Sequence, residues 1–258
     1  MAEELTIPTW RQALSERSHP LYEAAWVIFK MHSVDFASEL LEENKEAVIS
    51  LIKEILESDE LYINDGFGSG QAPVNAIRLI GHWKLEEFLP QLLEIIADTP
   101  EQRPAYGAAL NAVANLGESV IDAVLAWVEE DESLRPDAAK ILQRVGLNND
   151  KAFDAIQSWI DINDPQMVST YTNYLISINP ARAEYVIDDL SRNRDLDKGL
   201  RKQLKNKVNE ARQRQQALKE LEASATKAAE ELVEAAETLQ PSSEEDDTPE
   251  ANTEEEAE

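Results

Sequence analysis

Three glycines in five positions, Gly66, Gly68 and Gly70, stand directly before a helix-like run in INDGFGSGQAPVNAIRLIG (63–81). A glycine-rich loop opening onto a helix N-terminus is one arrangement with which proteins hold phosphate groups. A Walker loop also needs a lysine and a serine or threonine directly after its last glycine, and a buried strand before its first. Here Gln71, Ala72 and Pro73 follow the glycines, the next lysine is Lys84, and DELYIN is a poor strand. The dinucleotide fingerprint fails on spacing. Pro73, read as the first helical position, removes an N–H that a phosphate would use, and Asp65 adds repulsion. The segment 61–72 is therefore expected to link the N-terminal helices to the repeated helices beyond it, without holding a nucleotide.

The other chemistry-bearing residues are sparse. Cysteine is absent, which excludes disulfides, thiolate metal sites and a cysteine nucleophile. His19, His32 and His82 stand at no metal-ligand spacing, and no Gly-x-Ser-x-Gly elbow appears. His82 comes directly after Gly81, where a cation eases a helix C-terminal dipole. DINDPQMVSTYT (161–172) has the acidic start of a calcium loop but carries Gln166 and Thr172 where glycine and glutamate are required. No catalytic, cofactor-binding or metal-binding residue is assigned, and no cofactor is expected. Of the tryptophans at 10, 26, 83, 127 and 159, Trp127 and Trp159 fall on buried helix stripes, whereas Trp83, in a turn, is the candidate for an exposed anchor.

Helical spacing dominates the chain that must position these residues. Pro8 and Pro20 open helical turns leading to Trp10 and Leu14 and to Leu21, Ala24, Ala25 and Ile28. Phe36, Leu40 and Leu41 form one apolar stripe, and Val48, Leu51, Ile52 and Ile55 another. Beyond them the chain is self-similar: NAIRLIG (75–81), NAVANLG (111–117), KILQRVG (140–146) and NYLISIN (173–179) each close an apolar helical end on Gly81, Gly117, Gly146 or Asn179. Glycine and asparagine are the residues that cap helices in the left-handed conformation. Seven residues beyond each cap stand Phe88, Val124, Phe153 and Val186; eleven beyond stand Leu92, Val128, Gln157 (with Ile156 beside it) and Leu190. Each unit is thus a helix, a capped turn and a second helix apolar on one stripe, and such pairs must stack to cover their apolar faces.

Over about 72–193 this pattern resembles HEAT repeats of the short bacterial kind, often described as phycobilisome-lyase-like. DGFGSGQAPVNAIRLIG is also similar to the opening segment of bacterial HEAT-type proteins through Asp65, Gly66, Ala72 and Pro73. The chain departs from them at Asn75, where histidine is usual. The resemblance implies an all-α, right-handed α-solenoid of armadillo-like helix pairs whose second helices line the inner face, and a scaffold that binds other proteins. It implies no definite reaction.

Fifty-one acids face 24 bases, a net charge of -27 that repels nucleic acid and anionic membranes and attracts basic proteins or cations. A saline habitat gives the same acidity. On the second helices the polar positions are Glu87 and Glu94, then Asp122, Glu129 and Glu130, then Asp154 and Asp161, then Glu184 and Asp188, with few bases interleaved. They read either as an acidic groove for a basic partner or as a solvated face. Trp83, Glu87, Glu94, Asp122, Glu129, Asp154, Asp161 and Asp188 are the candidate partner-binding residues.

Residues 198–219 reverse the sign, with eight bases and one acid, and open a long helix without proline. Leu204, Ala211, Leu218, Ala225, Leu232 and Leu239 recur every seven residues, a seam that could pair with a second copy into a homodimer, lie on the last unit or stand free. PSSEEDDTPEANTEEEAE (241–258) is expected to be disordered.

The expected organisation is N-terminal helices over 1–60, the glycine-rich loop 61–72, HEAT-like repeats 73–195, a long charged helix 196–240 and the acidic tail 241–258. The N-terminus lacks the basic start and apolar core of a signal peptide, and no apolar run reaches the roughly 20 residues that span a bilayer. A cytoplasmic location is expected, without membrane or nucleic-acid partners. The function this implies is a non-catalytic adaptor or assembly factor, binding another protein along an acidic concave face. The alternatives are a phycobilin-lyase-like enzyme or subunit that takes a tetrapyrrole and, third, a HEAT-type nucleic-acid binder.

Overall fold

The computed structural model describes residues 8–30, 38–63 and 67–238. Among the described residues the fold is all-α: thirteen α-helices and short 3-10 turns, with no strand. The chain divides into two compact units, Met1–Ala211 and Arg212–Glu258.

The first unit begins with α1 (Thr9–Ser15), α2 (Tyr22–Lys30), α3 (Ser38–Glu43) and α4 (Lys45–Leu56). Pro8 is the residue just before α1, and Pro20 lies two residues ahead of α2, so each precedes its helix instead of sitting in the first turn. The spacing of Val48, Leu51, Ile52 and Ile55 makes α4 amphipathic, and all four are buried. Leu41 is buried and Leu40 half-buried; Phe36 lies outside the described residues. Thr9 ties α1 to α4 by donating its backbone N–H and its hydroxyl to the Glu54 carboxylate, at 2.8 and 2.6 Å.

Four helix pairs come next: α5 (Gln71–Trp83) with α6 (Leu89–Asp98), α7 (Pro104–Leu116) with α8 (Ile121–Glu130), α9 (Arg135–Val145) with α10 (Asp150–Ser158), and α11 (Pro165–Ile178) with α12 (Pro180–Arg192). Their first helices pack in succession, α5 on α7, α7 on α9 and α9 on α11, while α2 and α4 cover the near side of α5. Proline in the first turn starts α6, α7, α9, α11 and α12, where its missing N–H has no helical partner to lose. The buried stripe of the second helices is the one the spacing marks: Phe88, Leu92, Val124, Val128, Phe153 and Ile156 are buried. In the last pair Val186 and Leu190 are half-buried, and Ala183 and Ile187 take the core positions.

The turns between paired helices differ from expectation. Gly117 terminates α7 with φ 90° and ψ −155°, a backbone that suits only glycine. Gly81 is no cap: it lies inside α5, and α5 closes on Lys84 at φ 53° and ψ 50°. A Cβ on Gly81 would sit 2.7 Å from the Cα of Ala112 on α7, so glycine is there to let two helices approach. Gly146 closes α9 at an ordinary φ of −92°, and a Cβ there would come within 2.6 Å of both Ala152 Cβ and the Leu142 carbonyl oxygen. Asn179 is extended at φ −150° and acts at the start of α12, its Oδ1 accepting from the backbone N–H of Arg182 at 3.1 Å. Pro73 is the third residue of α5, since the helix begins two residues earlier than expected; a first-turn position there still needs no N–H.

The helix α13 (Lys198–Thr238) closes the described chain. In the first unit its residues Leu200, Leu204, Val208 and Ala211 are buried. There the Lys207 ammonium donates to the Ser169 carbonyl and to Thr172 Oγ1 on α11. In the second unit the described chain is the remainder of this helix. The acidic tail lies outside the described residues. No single helix among the described residues is long and apolar enough to cross a membrane.

Candidate functional site

The glycine loop is packed from below by aromatic rings. Phe67, at its start, stacks on Trp10 with centroids 5.7 Å apart and tilts against Phe29 at 5.6 Å; Trp10 stacks on Phe29 at 5.2 Å. Gly68, Ser69 and Gly70 then take positive φ angles of 78°, 53° and 72° before α5 begins. A Cβ on Gly68 would lie 3.2 Å from the Phe29 ring, so its absence lets the backbone settle on that ring. Lys84 stands at the far end of α5, about 20 Å from the loop by the rise of the helix. The geometry is that of a packed link. Asp65 and Gly66 lie outside the described residues.

Beside the loop lies a hollow of about 290 Å³ lined in part by Ser69, Gly70, Gln71, Arg103 and Tyr62. Across Tyr62, Asp98 and Thr99 it adjoins a second hollow of about 400 Å³ between the end of α4 and the exposed side of α6. Its carboxylates are Glu57, Asp59, Glu94 and Asp98. Tyr62 lies at the boundary of the two hollows, half-buried, its hydroxyl donating to the Leu56 carbonyl at 3.3 Å. Burial pushes the Tyr62 phenol up to about 12, and the charges of Asp59 and Glu94 add to the rise. These two acids therefore act on one ring from α6 and from the 3-10 turn Asp59–Tyr62. A bent groove results, with an acidic half suited to an ammonium or guanidinium group and an aromatic ring between its halves.

The acids singled out from sequence separate into two groups. Glu87 stands exposed in the 3-10 turn Glu86–Phe88, Glu94 is exposed on α6, and Glu129 is exposed near the end of α8. Asp122 pairs with Lys151 of α10 at 2.6 Å, Asp154 and Asp150 pair with Arg182 of α12, and Asp188 pairs with Arg192. The expectation of few interleaved bases is thus corrected: for Asp122, Asp150 and Asp154 bases arrive from the adjoining pair, 28 to 32 residues along the chain, and for Asp188 from its own helix four residues on. Arg182 also covers the Phe153 ring at 4.2 Å, packing its guanidinium as well as pairing it. Asp161 accepts from the backbone N–H of Asn163, and Asp164 caps α11 by accepting from Gln166 and Met167, so 161–164 is a capping turn and 165–172 is the start of that helix.

Trp83 is corrected as well. It is the last residue of α5, half-buried against the core, with the Lys45 ammonium 5.2 Å from its ring centroid. The exposed tryptophan is Trp26 on α2, 46% accessible, beside Tyr22 and Leu40. Trp127 and Trp159 pack against the core as their positions suggest. His82 is exposed in the last turn of α5, His19 accepts from the Leu21 N–H, and His32 lies outside the described residues. Among the described residues no three His, Cys, Asp or Glu side chains gather to hold a metal ion.

Sequence reasoning leaves Glu57, Asp59, Tyr62 and Asp98 unassigned. The run ESDELY (57–62) carries three of them, but its acids read as the polar end of a helix, and only the approach of α6 gives them a common wall. No protein-family model, curated protein or solved structure matches this chain.

Proposed function

We propose that this chain is a non-catalytic docking protein, a right-handed α-solenoid of HEAT-like helix pairs that holds a basic segment of another protein in the acidic groove around Tyr62. One observation carries the reading: among the described residues Glu57, Asp59, Glu94 and Asp98 face a common hollow without an ion pair, whereas Asp122, Asp150, Asp154 and Asp188 are paired within the chain. Unpaired carboxylates beside a half-buried ring hold potential in reserve for an incoming cation, and paired ones have already used it. The solenoid part of the reading rests on the succession α5, α7, α9, α11. It rests also on polar ties that join residues about one helix pair apart, such as Asn149 with Glu118 and Arg144 with Asn111. A groove of this breadth gives its affinity through an extended polar rim more than through one deep pocket.

The test is capture from native lysate together with anisotropy of a labelled lysine- and arginine-rich peptide. The variant Glu57→Gln, Asp59→Asn, Glu94→Gln, Asp98→Asn is expected to weaken peptide binding about tenfold or more and to lose the captured partner, with its melting curve retained. The variant Asp122→Asn, Asp154→Asn, Asp188→Asn is expected to bind as the parent does. Undiminished binding by the first variant, or an equal loss in the second, rejects the groove.

A further inference from the structure

The helix pairs divide their charge unevenly between first and second helices. The second helices α6, α8, α10 and α12 carry ten acids. The first helices α5, α7, α9 and α11 carry one, Asp137, and it is paired with Lys140 at 3.0 Å. Among their exposed side chains are Arg78 on α5, Asn111 on α7, Arg144 on α9 and Asn173 on α11, and α13 adds the half-buried Lys207. Base and amide thus alternate across α5, α7, α9, α11 and α13. The bonds between these residues fix what the row can offer. Arg144 donates to Asn111 Oδ1 at 2.8 Å, and the Lys207 ammonium donates to Asn173 Oδ1 as well as to Ser169 and Thr172. Both cations are met by neutral oxygens, and neither has a carboxylate partner among the described residues. An amide whose oxygen is taken has only its N–H groups left to give. At Asn111, Arg144, Asn173 and Lys207 the row therefore presents donors and positive charge.

We propose that this row is a second docking surface, separate from the groove around Tyr62, and that it takes an extended acidic segment of another protein. The amides bond the main-chain carbonyls of the segment, and the cations bond its carboxylates. Helix axes about 8–10 Å apart put Arg144 and Lys207, two helices from each other, about 16–20 Å apart, which an extended chain covers in about five or six residues. Arg78 stands two helices further on the other side of Arg144, so the same step recurs. A nucleic-acid strand fits this spacing poorly. With a charge about every 3.4 Å it would lay several phosphates against amides alone between one cation and the next, in a protein of net charge -27. A peptide brings uncharged carbonyls to that stretch.

The test is anisotropy of fluorescein-labelled peptides of glycine, serine and threonine, each with three glutamates, titrated with the full-length protein. Glutamates about six residues apart are expected to bind at least about fivefold more tightly than three consecutive ones of the same total charge. The double variant Asn111→Asp, Asn173→Asp gives Arg144 and Lys207 carboxylate partners, so it keeps the fold while turning donors into acceptors. It is expected to weaken binding about tenfold or more, with a melting temperature unchanged or raised. The variant Glu57→Gln, Asp59→Asn, Glu94→Gln, Asp98→Asn is expected to bind the acidic peptide as the parent does, which separates this row from the groove. Unchanged affinity in the double variant, equal affinity for the two spacings, or equally tight binding of a single-stranded oligonucleotide would overturn the proposal. So would binding seen only after removal of residues 241–258, because the chain's own acidic end would then be the occupant.

Discussion

The side-chain amide of Asn75 donates a hydrogen bond of 2.8 Å to the carbonyl oxygen of Ile28, joining the core of α5 to the last turn of α2. Asn75 is fully buried, and its own Oδ1 accepts from Gln71 Nε2 at 3.0 Å. The bond is wholly buried, where an unmet polar group is costly. Asn75→Ala is therefore expected to destabilise the protein by about 1–3 kcal/mol, the cost of leaving a buried acceptor unmet. Gln71→Ala, which removes a bond only to Asn75, is expected to cost less than about 1 kcal/mol. Urea denaturation of the two variants beside the parent measures both.

Arg182 bridges Asp150 and Asp154 and lies on Phe153, so it holds α12 to α10 by charge and by packing. The charged part is worth little, because both aspartates are largely solvated. Arg182→Ala is expected to cost about 1 kcal/mol, and Arg182→Met, which keeps most of the stem over the ring, about half of that. Thermal melts in low and high salt separate the two parts: the difference between alanine and methionine persists in salt, and the rest shrinks.

Tyr62 fixes an alkaline signature. Its folded phenol titrates at about 12 against an ordinary 10, so the folded state keeps its proton where the unfolded chain has lost it. The resulting stability is fully present below pH 10 and is lost as pH rises from 10 through 12. Tyr106, held at about 12 by burial and by its hydrogen bond to Asp137, adds a slope of the same sign. Lys207 has the opposite sign, since burial lowers its folded value and the loss of its proton relieves that burial. Tyr62→Phe is expected to flatten the fall in stability between pH 10 and 12, while near pH 7 it lowers the whole curve only by the constant cost of the lost bond to Leu56, about 1 kcal/mol, as read from denaturation midpoints across that range.

How much of this is legible in the chain depends on the distance over which each residue acts. The stripes at Phe88, Leu92, Val124 and Phe153 arise from local period alone and lie where spacing puts them. The glycines at 81 and 146 read as turn-makers, since sequence gives glycine two uses and only the neighbouring helix decides between them. At Gly81 it is Ala112, 31 residues on, that makes the side chain impossible. The acids illustrate the same limit. Asp154 and Glu94 look alike in a helical wheel, but Arg182 reaches the one from the next pair, and among the described residues no base pairs with the other. Trp83, beside a histidine and ahead of a lysine, has the surroundings of a surface residue, yet it packs against the core with the Lys45 ammonium of α4 over its ring.

The polar ties between helices from α7 onward span only 28 to 38 residues of chain, from Arg182 with Asp154 to Lys207 with Ser169. Links of such short reach leave no distant segment to be found before a new helix can dock, so the fold can grow by accretion, each hairpin templated by its predecessor. The same economy makes the ends its weak points. Fraying there proceeds inward hairpin by hairpin, and the far reaches of the molecule stay ordered while one terminus has already melted.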